Sequence, residues 1–542
     1  VSQYDYSSDA LKADRKRYIR RWRLEPVDPE AYARGELVEP IKPIVYYLDP
    51  ATPLKWRKYF KQGIEDWNAC FETAGFKNAI MAKDPPTKEE DPEFSPEDAR
   101  YSVVRYVAST TRNAVGPSVS DPRTGEILES DIIWYHNHLR SYRNRYLLET
   151  GAANPKARSL DTPEEEIGEM MRRVISHEIG HALGLPHNMK ASSAYPVDSL
   201  RSASFTQRYG IATTIMDYAR YNYVAQPGDQ GVRFIRMIGP YDHYSIDWGY
   251  RYLPNINQPS DELTATRAWI NDKAGDPVYM FGSGRTRQDP DSQTESIGDD
   301  NVKASEYGLS NLKQVASNLI PWTTEPGESY NDLFELYREM LGVWRRYVNH
   351  VIYNVGGVHH THKTTDQTGP IYEYVSRNDQ LRAIDFVGQE VIETPDWLIS
   401  QPIISLIGLS GSVDQLYGFQ YDALKNILRD DRMFRLSEAE VLGADVPSVS
   451  EVIDRVSGFV FASDPDRTRR QLQRQFVELL IEKTDVKAYE LMKTSDLPAI
   501  YRVHLASLKD ELEQMSQSQG QSDFLKSHYD DLLYRIAKAD DK

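Results

Sequence analysis

A chain of 542 residues is too long for one ordinary domain and points to two to four. Its 81 acidic and 64 basic residues leave a net charge of −17, which argues against a general nucleic-acid or anionic-membrane binder. With 40% hydrophobic and 27% charged residues it reads as a globular chain able to bury a core, and no apolar run approaches the roughly 20 residues a spanning helix needs.

Residues 1–40 are charged and tyrosine-rich, and "KADRKRYIRRWRLEP" reads as a short helix and an arm with a solvated basic face. The chain opens on Val1 without a signal-like apolar segment, as expected of a processed chain or an excised fragment. Ordered α/β patterning starts near Lys42 with the strand "KPIVYYLD". Trp56, Tyr59, Phe60, Ile64, Trp67 and Phe71 then recur at helical spacing, and Gly75 is the expected stop. Cys70, the single cysteine, falls inside this helix as a small buried apolar residue. "AKDPPTKEEDPEFSPEDA" is a polar loop and "RYSVVRYVAS" a second strand. "AVGPSVSDPRTGEILESDIIWY" reads as two strands around a turn at 121–125, the first at a sheet edge because Pro117 cannot donate to a ladder. His136 and His138 are expected at a solvated strand end. A long polar connection leads to "DTPEEEIGEMMRRVISHEIGHALGL", a helix with Thr162 as N-cap, Pro163 at its first position and Glu165 completing a capping box. Ile167, Met170, Met171, Val174 and Ile175 form its apolar face.

Beyond Tyr250 the sequence turns polar and then mostly helical, with segments expected at 329–354, 377–393, 465–484, 497–514 and 521–538. The division expected is an arm at 1–40, an α/β domain at 41–255 and a mainly helical domain at 256–542. "DPDSQTESIGDD" lacks an ordered calcium-loop pattern and reads as a solvated linker. His359, His360 and His362 read as a polar loop, and His243 as a packing or hydrogen-bonding histidine.

Within the long helix, His177 and His181 are four residues apart, so both imidazoles share one face and can share one metal. Glu178 stands where a carboxylate can reach a water at that metal without binding the metal itself. Gly184 can end the helix and Pro186 cannot continue it, so the chain can return His187 as a third ligand. Three nitrogens leave a fourth tetrahedral position open, the mark of a catalytic zinc centre. Zinc lowers the pKa of its water to roughly 7, and Glu178 can move the proton to a leaving amine.

With Gly184 and His187 in register, the motif resembles the long zinc motif of the metzincin metallopeptidases, and the whole chain is similar to bacterial zinc-dependent metallopeptidases with a Met-zincin domain. The resemblance implies one zinc ion on His177, His181 and His187, with Glu178 as general base. It implies that Met216 in "TTIMDYAR" forms a hydrophobic base under the histidines and that Tyr218 can stabilise the oxyanion. It further implies an α/β fold with a twisted, mostly parallel sheet and an antiparallel edge strand. Substrate would pair with that edge near residues 114–120, Val115 and Gly116 included, and Tyr221 and Tyr223 would shape the pocket for the residue after the cut. Such enzymes act on protein or peptide substrates, not nucleic acid, and are expected to be exported. Asn188, after the third histidine, matches none of the serine, aspartate, glutamate or proline of the best-known groups, so specificity cannot be carried over. Two other readings fit the same residues: a metzincin-fold binding module whose helical region recognises a protein or glycan, and a latent peptidase whose cleft is covered, for instance by the N-terminal arm.

Overall fold

A computed structural model of the chain describes residues 2–7, 9, 11–254, 256, 259–285, 288–408, 411–462, 465–484, 494–520 and 522–540. Residue 255, the expected domain boundary, and residue 521, the expected start of the last helix, lie outside these. The chain divides into two compact units: Val1–Thr286 with Asp291–Asp300 and Thr361–Gly369, and Arg287–Pro290 with Asn301–His360 and Pro370–Lys542.

In the first unit, β1 (Ser2–Asp5) and β2 (Asp14–Arg17) form a small antiparallel pair, replacing the expected short helix of the arm, and α1 (Pro29–Ala33) follows. The central sheet contains β3 (Ile44–Leu48), β4 (Ile80–Lys83), β5 (Ser102–Val107), β6 (Ala114–Val115) and β9 (Ile132–Tyr135) in the order β4-β3-β5-β9-β6. All neighbours are parallel except β6, which runs antiparallel to β9 with Val115 opposite Ile133. The outermost strand thus carries the segment that ends at Pro117, where a missing N–H disturbs no ladder. A separate hairpin, β7 (Ser118–Ser120) with β8 (Ile127–Ser130), turns through residues 121–125. The region read as two strands therefore folds as four short ones, and β4 adds an unexpected strand whose last two residues, Ala82 and Lys83, fall in the expected polar loop.

One helix was expected over residues 56–75; the structure breaks it into α2 (Leu54–Glu65) and α3 (Asn68–Thr73). At the break, the Asp66 carboxylate accepts from Arg172 at 2.9 Å, Arg173 at 3.1 Å and the Ser176 hydroxyl at 3.1 Å. The polar connection after β9 contains an unexpected helix, α4 (His138–Thr150). His138 opens it and is buried between Trp134 and Tyr142, so it is no solvated strand end, and burial pushes its imidazole down to about 4.

The motif helix, α5 (Glu164–Ala182), starts one residue later than expected, with Pro163 at the cap and no side-chain cap hydrogen bond. Thr162 and Glu165 therefore make no capping box; three glutamates in the first turn complement the helix dipole instead. At its other end Leu185 N–H donates to Gly180 O at 3.0 Å and Gly184 N–H to His181 O at 2.9 Å, a Schellman closure with Gly184 at φ +95°. α5 crosses α2 where Gly63 lies, because a Cβ there would stand 2.5 Å from Arg172 O. Short α6 (Ala203–Tyr209), α7 (Pro240–Tyr250) and α8 (Pro259–Asp272) follow. Cys70 is fully buried, and burial pushes its thiol up, in keeping with a packing role. His243 Nδ1 lies 2.7 Å from the Thr73 hydroxyl.

The segment read as a solvated linker is largely buried: Ser292, Gln293, Ser296 and Ile297 are all shielded. Charge and hydrogen bonding outweigh its polarity. Glu295, at φ +63°, accepts from Arg145 at 3.0 Å and Arg220 at 2.5 Å, and Ile297 N–H donates to the Tyr223 hydroxyl at 3.2 Å.

The second unit is mainly helical: α9 (Asn301–Thr323), α10 (Asn331–Ile352), α11 (Arg377–Val387), α12 (Gln401–Ile407), α13 (Ser412–Ile427), α14 (Asp430–Val441), α15 (Val449–Val460), α16 (Arg467–Thr484), α17 (Leu497–Gln517) and α18 (Asp523–Asp540). Between α10 and α11, β10 (Val358–His360) pairs with β11 (Tyr372–Tyr374), so His359 and His360 lie in a strand rather than a loop. Arg432 is fully buried and closes the end of α10, its Nη1 donating to Ile352 O at 2.8 Å. Among the described residues no helix is long and apolar enough to cross a membrane.

Candidate metal centre

The site stands on the last two turns of α5 and the turn that follows. His177 Nδ1 lies 2.7 Å from Ile215 O, and His181 Nδ1 lies 2.8 Å from Leu185 O. A carbonyl only accepts, so both Nδ1 atoms carry the proton and both Nε2 atoms present lone pairs. These meet His187 Nε2 at 3.2 Å and 3.0 Å. One proton on His187 can satisfy at most one of them, so the cluster is short of donors and suited to a cation. Two nitrogens 2.0–2.1 Å from one tetrahedral zinc ion stand about 3.3 Å apart, close to the spacing found. Donor type, number and spacing fit a zinc ion on His177, His181 and His187.

Glu178 is 8% exposed, and burial pushes its carboxyl up to about 7, opposed by the positive charge of Arg236. Among the described residues it accepts no hydrogen bond, so it is free to exchange a proton with a bound molecule. Val115 and Gly116 lie against the same turn of α5: a Cβ on Gly116 would stand 2.8 Å from Glu178 O.

Below the helix, Met216 is buried against Gly180, where any Cβ would overlap its sulfur and stand 2.9 Å from Trp67 Cζ2. The turn holding Met216 is built on two buried aspartates. Asp242 accepts from the Thr214 hydroxyl and, at 2.8 Å each, from Ile215 N–H and Gly239 N–H. Asp217 accepts from Ser192 N–H at 2.9 Å and Ala219 N–H at 2.8 Å. Burial pushes both carboxyls up to about 7. Tyr218 leaves this turn toward the metal position, its ring stacked on His177 at 5.3 Å between centroids and 4.4 Å from His187. The structure thus gathers His177, Glu178, His181, His187, Met216, Tyr218, Val115 and Gly116.

Tyr221 and Tyr223 are placed differently. Both are buried; the Tyr221 hydroxyl donates to Tyr142 O at 2.9 Å and the Tyr223 hydroxyl accepts from Ile297. They brace the segment after the turn from within.

Asn188, whose role the sequence leaves open, and Arg236, which carries no sequence signal, complete the centre. Asn188 is fully buried: its Oδ1 accepts from Gly282 N–H and its Nδ2 donates to Met280 O, both at 2.9 Å, while its own N–H reaches Met216 O at 3.3 Å. It ties the third-ligand turn to the Met216 turn and to residues 280–282. Arg236 is 3% exposed and donates through Nη1 to Asp217 O, placing a buried positive charge beside Glu178 and Tyr218.

No curated protein and no solved structure matches the chain. A family model described as Met-zincin does, over residues 159–467. That stretch is more than half of the chain and holds α5, the three histidines, the Met216 turn and helices as far as the start of α16, and the chain belongs to this Met-zincin family.

Proposed function

We propose that the protein is a zinc-dependent endopeptidase. The observation that carries this reading is the convergence of three imidazole Nε2 atoms, those of His177 and His181 within 3.2 Å of that of His187, beside a buried carboxyl that no described side chain occupies. Zinc held by His177, His181 and His187 would polarise the scissile carbonyl as a Lewis acid and acidify a water. Glu178 takes the proton of the attacking water and returns it to the leaving amine nitrogen; its carboxyl is buried and accepts no hydrogen bond among the described residues, so it is free for that transfer. The Tyr218 hydroxyl donates to the oxygen on which negative charge develops. An extended peptide lies along the outer side of β6, with Val115 and Gly116 holding its backbone. Tyr221 and Tyr223 support the wall beyond the cut. By family resemblance the enzyme works outside the cytoplasm; recovery of the native protein solely from the cytosolic fraction would count against that.

The test is cleavage of a proteome-derived peptide library by zinc-loaded protein. Glu178→Gln should bind zinc as before and lose about 10²–10⁴ in kcat. A wild-type rate in pure Glu178→Gln protein would sink the assigned base, and zinc-loaded wild-type protein that cuts no peptide would sink the peptidase reading.

A further inference from the structure

The third-ligand turn has a second support, reached from the far end of the sequence. α5 ends with carbonyls at Ala182 and Leu183 that no helical N–H can take. Trp22 Nε1 donates to Ala182 O at 2.9 Å, and the Tyr250 hydroxyl donates to Leu183 O at 2.8 Å while accepting from Trp22 N–H at 3.2 Å. Next in line, Gly184 has no room for a Cβ because Arg20 O occupies that space. The same short segment is held at two other places. Arg21 N–H donates to Gly125 O at 3.1 Å, Ile127 N–H donates to Arg21 O at 2.8 Å, and Arg21 Nη1 donates to Gly249 O at 2.6 Å. Residues 19–22 therefore run from the turn of the β7–β8 hairpin across the end of α5 to the end of α7. Beside them a cavity of about 260 Å³, lined in part by Arg20, Leu183, Gly184, Leu185, Pro186 and Trp248, backs the turn that leads to His187. On that side the turn borders open space, so the strap is the support it has there. Leu185, in the same turn, also supplies the carbonyl that orients His181.

We propose that residues 19–22 are a positioning strap for the metal centre, holding the turn between His181 and His187 so that the three imidazoles converge, and that this part of the N-terminal arm favours metal binding instead of covering the cleft. The inference rests on the metal-centre reading above. Tyr4, Tyr6 and Leu11, upstream of the strap, are exposed, in keeping with a support confined to residues 19–22. Trp22 and Tyr250 touch no reacting atom; they act through the turn.

The experiment uses Trp22→Phe, Tyr250→Phe and the double variant, which keep an aromatic ring at each position and remove the side-chain donors. Zinc affinity is read by competition with a chromophoric chelator, and hydrogen exchange is followed at residues 182–187 with and without zinc. Loss of outer support to metal ligands weakens binding by about 10–100-fold. The double variant should fall in that range and exchange faster at 184–187, with a drop in the melting temperature of its zinc-free form too small to account for the affinity loss. Wild-type zinc affinity and wild-type protection in the double variant would overturn the strap, as would an affinity loss matched by a general loss of fold. A chain shortened by residues 1–23 separates strap from cover: the strap requires weaker zinc binding, whereas tighter binding with faster peptide cleavage overturns it. Wild-type protein that binds no zinc would sink the metal-centre reading itself. The exchange measurement then still decides the strap, and unchanged protection at 184–187 in the variants overturns it.

Discussion

Glycine inside a helix costs about 1 kcal/mol relative to alanine, so Gly180, one residue before a metal ligand, looks at first like a site to improve. The packing reverses that expectation. A methyl group there would overlap the Met216 sulfur and stand 2.9 Å from Trp67 Cζ2, and Trp67 is itself fixed by its Nε1 bond to Ser176 O at 2.8 Å. Met216 is flexible and yields first, so the cost falls on the turn beneath the histidines. Gly180→Ala is expected to destabilise the protein by about 1–3 kcal/mol, the range for overpacked cores, despite its better helix propensity. Urea unfolding of both proteins measures it. Greater stability in Gly180→Ala would show that Met216 is not packed tightly against α5. Pairing the change with Met216→Ala should recover part of the loss, since the two side chains compete for one space.

At the scale of elements, α16 and α18 are joined by a buried histidine. His528 Nε2 lies 2.7 Å from Gln473 Oε1, whose amide nitrogen donates to Val460 O at 3.0 Å. The glutamine oxygen is thus the acceptor and His528 the donor. The other ring nitrogen is buried and has no partner among the described residues, so a second proton finds no acceptor among them. Burial pushes the imidazole down to about 4, helped by the charges of Arg474 and Arg470. The unfolded chain, with a histidine pKa of about 6.5, takes up the proton first. Stability from this site is therefore full above pH 6.5 and is lost as the pH falls toward 4, by at most about 3 kcal/mol. Denaturant unfolding at pH 7.5 and 4.5, followed by hydrogen exchange in α16 and α18, should show that loss in wild type and a smaller one in His528→Gln. Equal losses would count against it. Such a link could not be read from the sequence, because Gln473 and His528 each fit an ordinary amphipathic helix. Elements with a strong local pattern were legible: the apolar runs of β3 and β5, the stripe of α2 and the long helix α5. α4 was hidden because its buried face includes Asn144, Glu149 and Thr150, polar residues that accept from Arg143, accept from Arg145 and donate to Tyr146 O within the helix. The four-residue strand β4 was hidden because alanine and lysine take half of it. The three histidines and Glu178 were legible because eleven consecutive positions contain them. Asn188, Arg236 and the Trp22 strap were not, since each acts through residues distant in the chain.

For the whole molecule, ligation of one ion by three side chains couples metal binding to the stability of the unit that contains them. His177, His181 and His187 all belong to the first unit, and so do the Met216 turn and residues 280–285. A ligand that binds only the folded form stabilises by about 2.7 kcal/mol when present at 100 times its Kd. For a unit of roughly 300 residues, with an unfolding entropy near 2.1 cal/mol/K per residue, that corresponds to about 4 °C in Tm. Removing zinc with a chelator should therefore lower the transition of the first unit by several degrees and leave that of the second in place. Hydrogen exchange during a temperature ramp distinguishes the two, with α2 and α5 reporting on one unit and α10 and α15 on the other. His187→Ala should abolish the chelator's effect, because two remaining imidazoles hold zinc weakly. A chelator shift confined to α10 and α15, or one that persists in His187→Ala, would place the stabilising metal somewhere other than these three histidines.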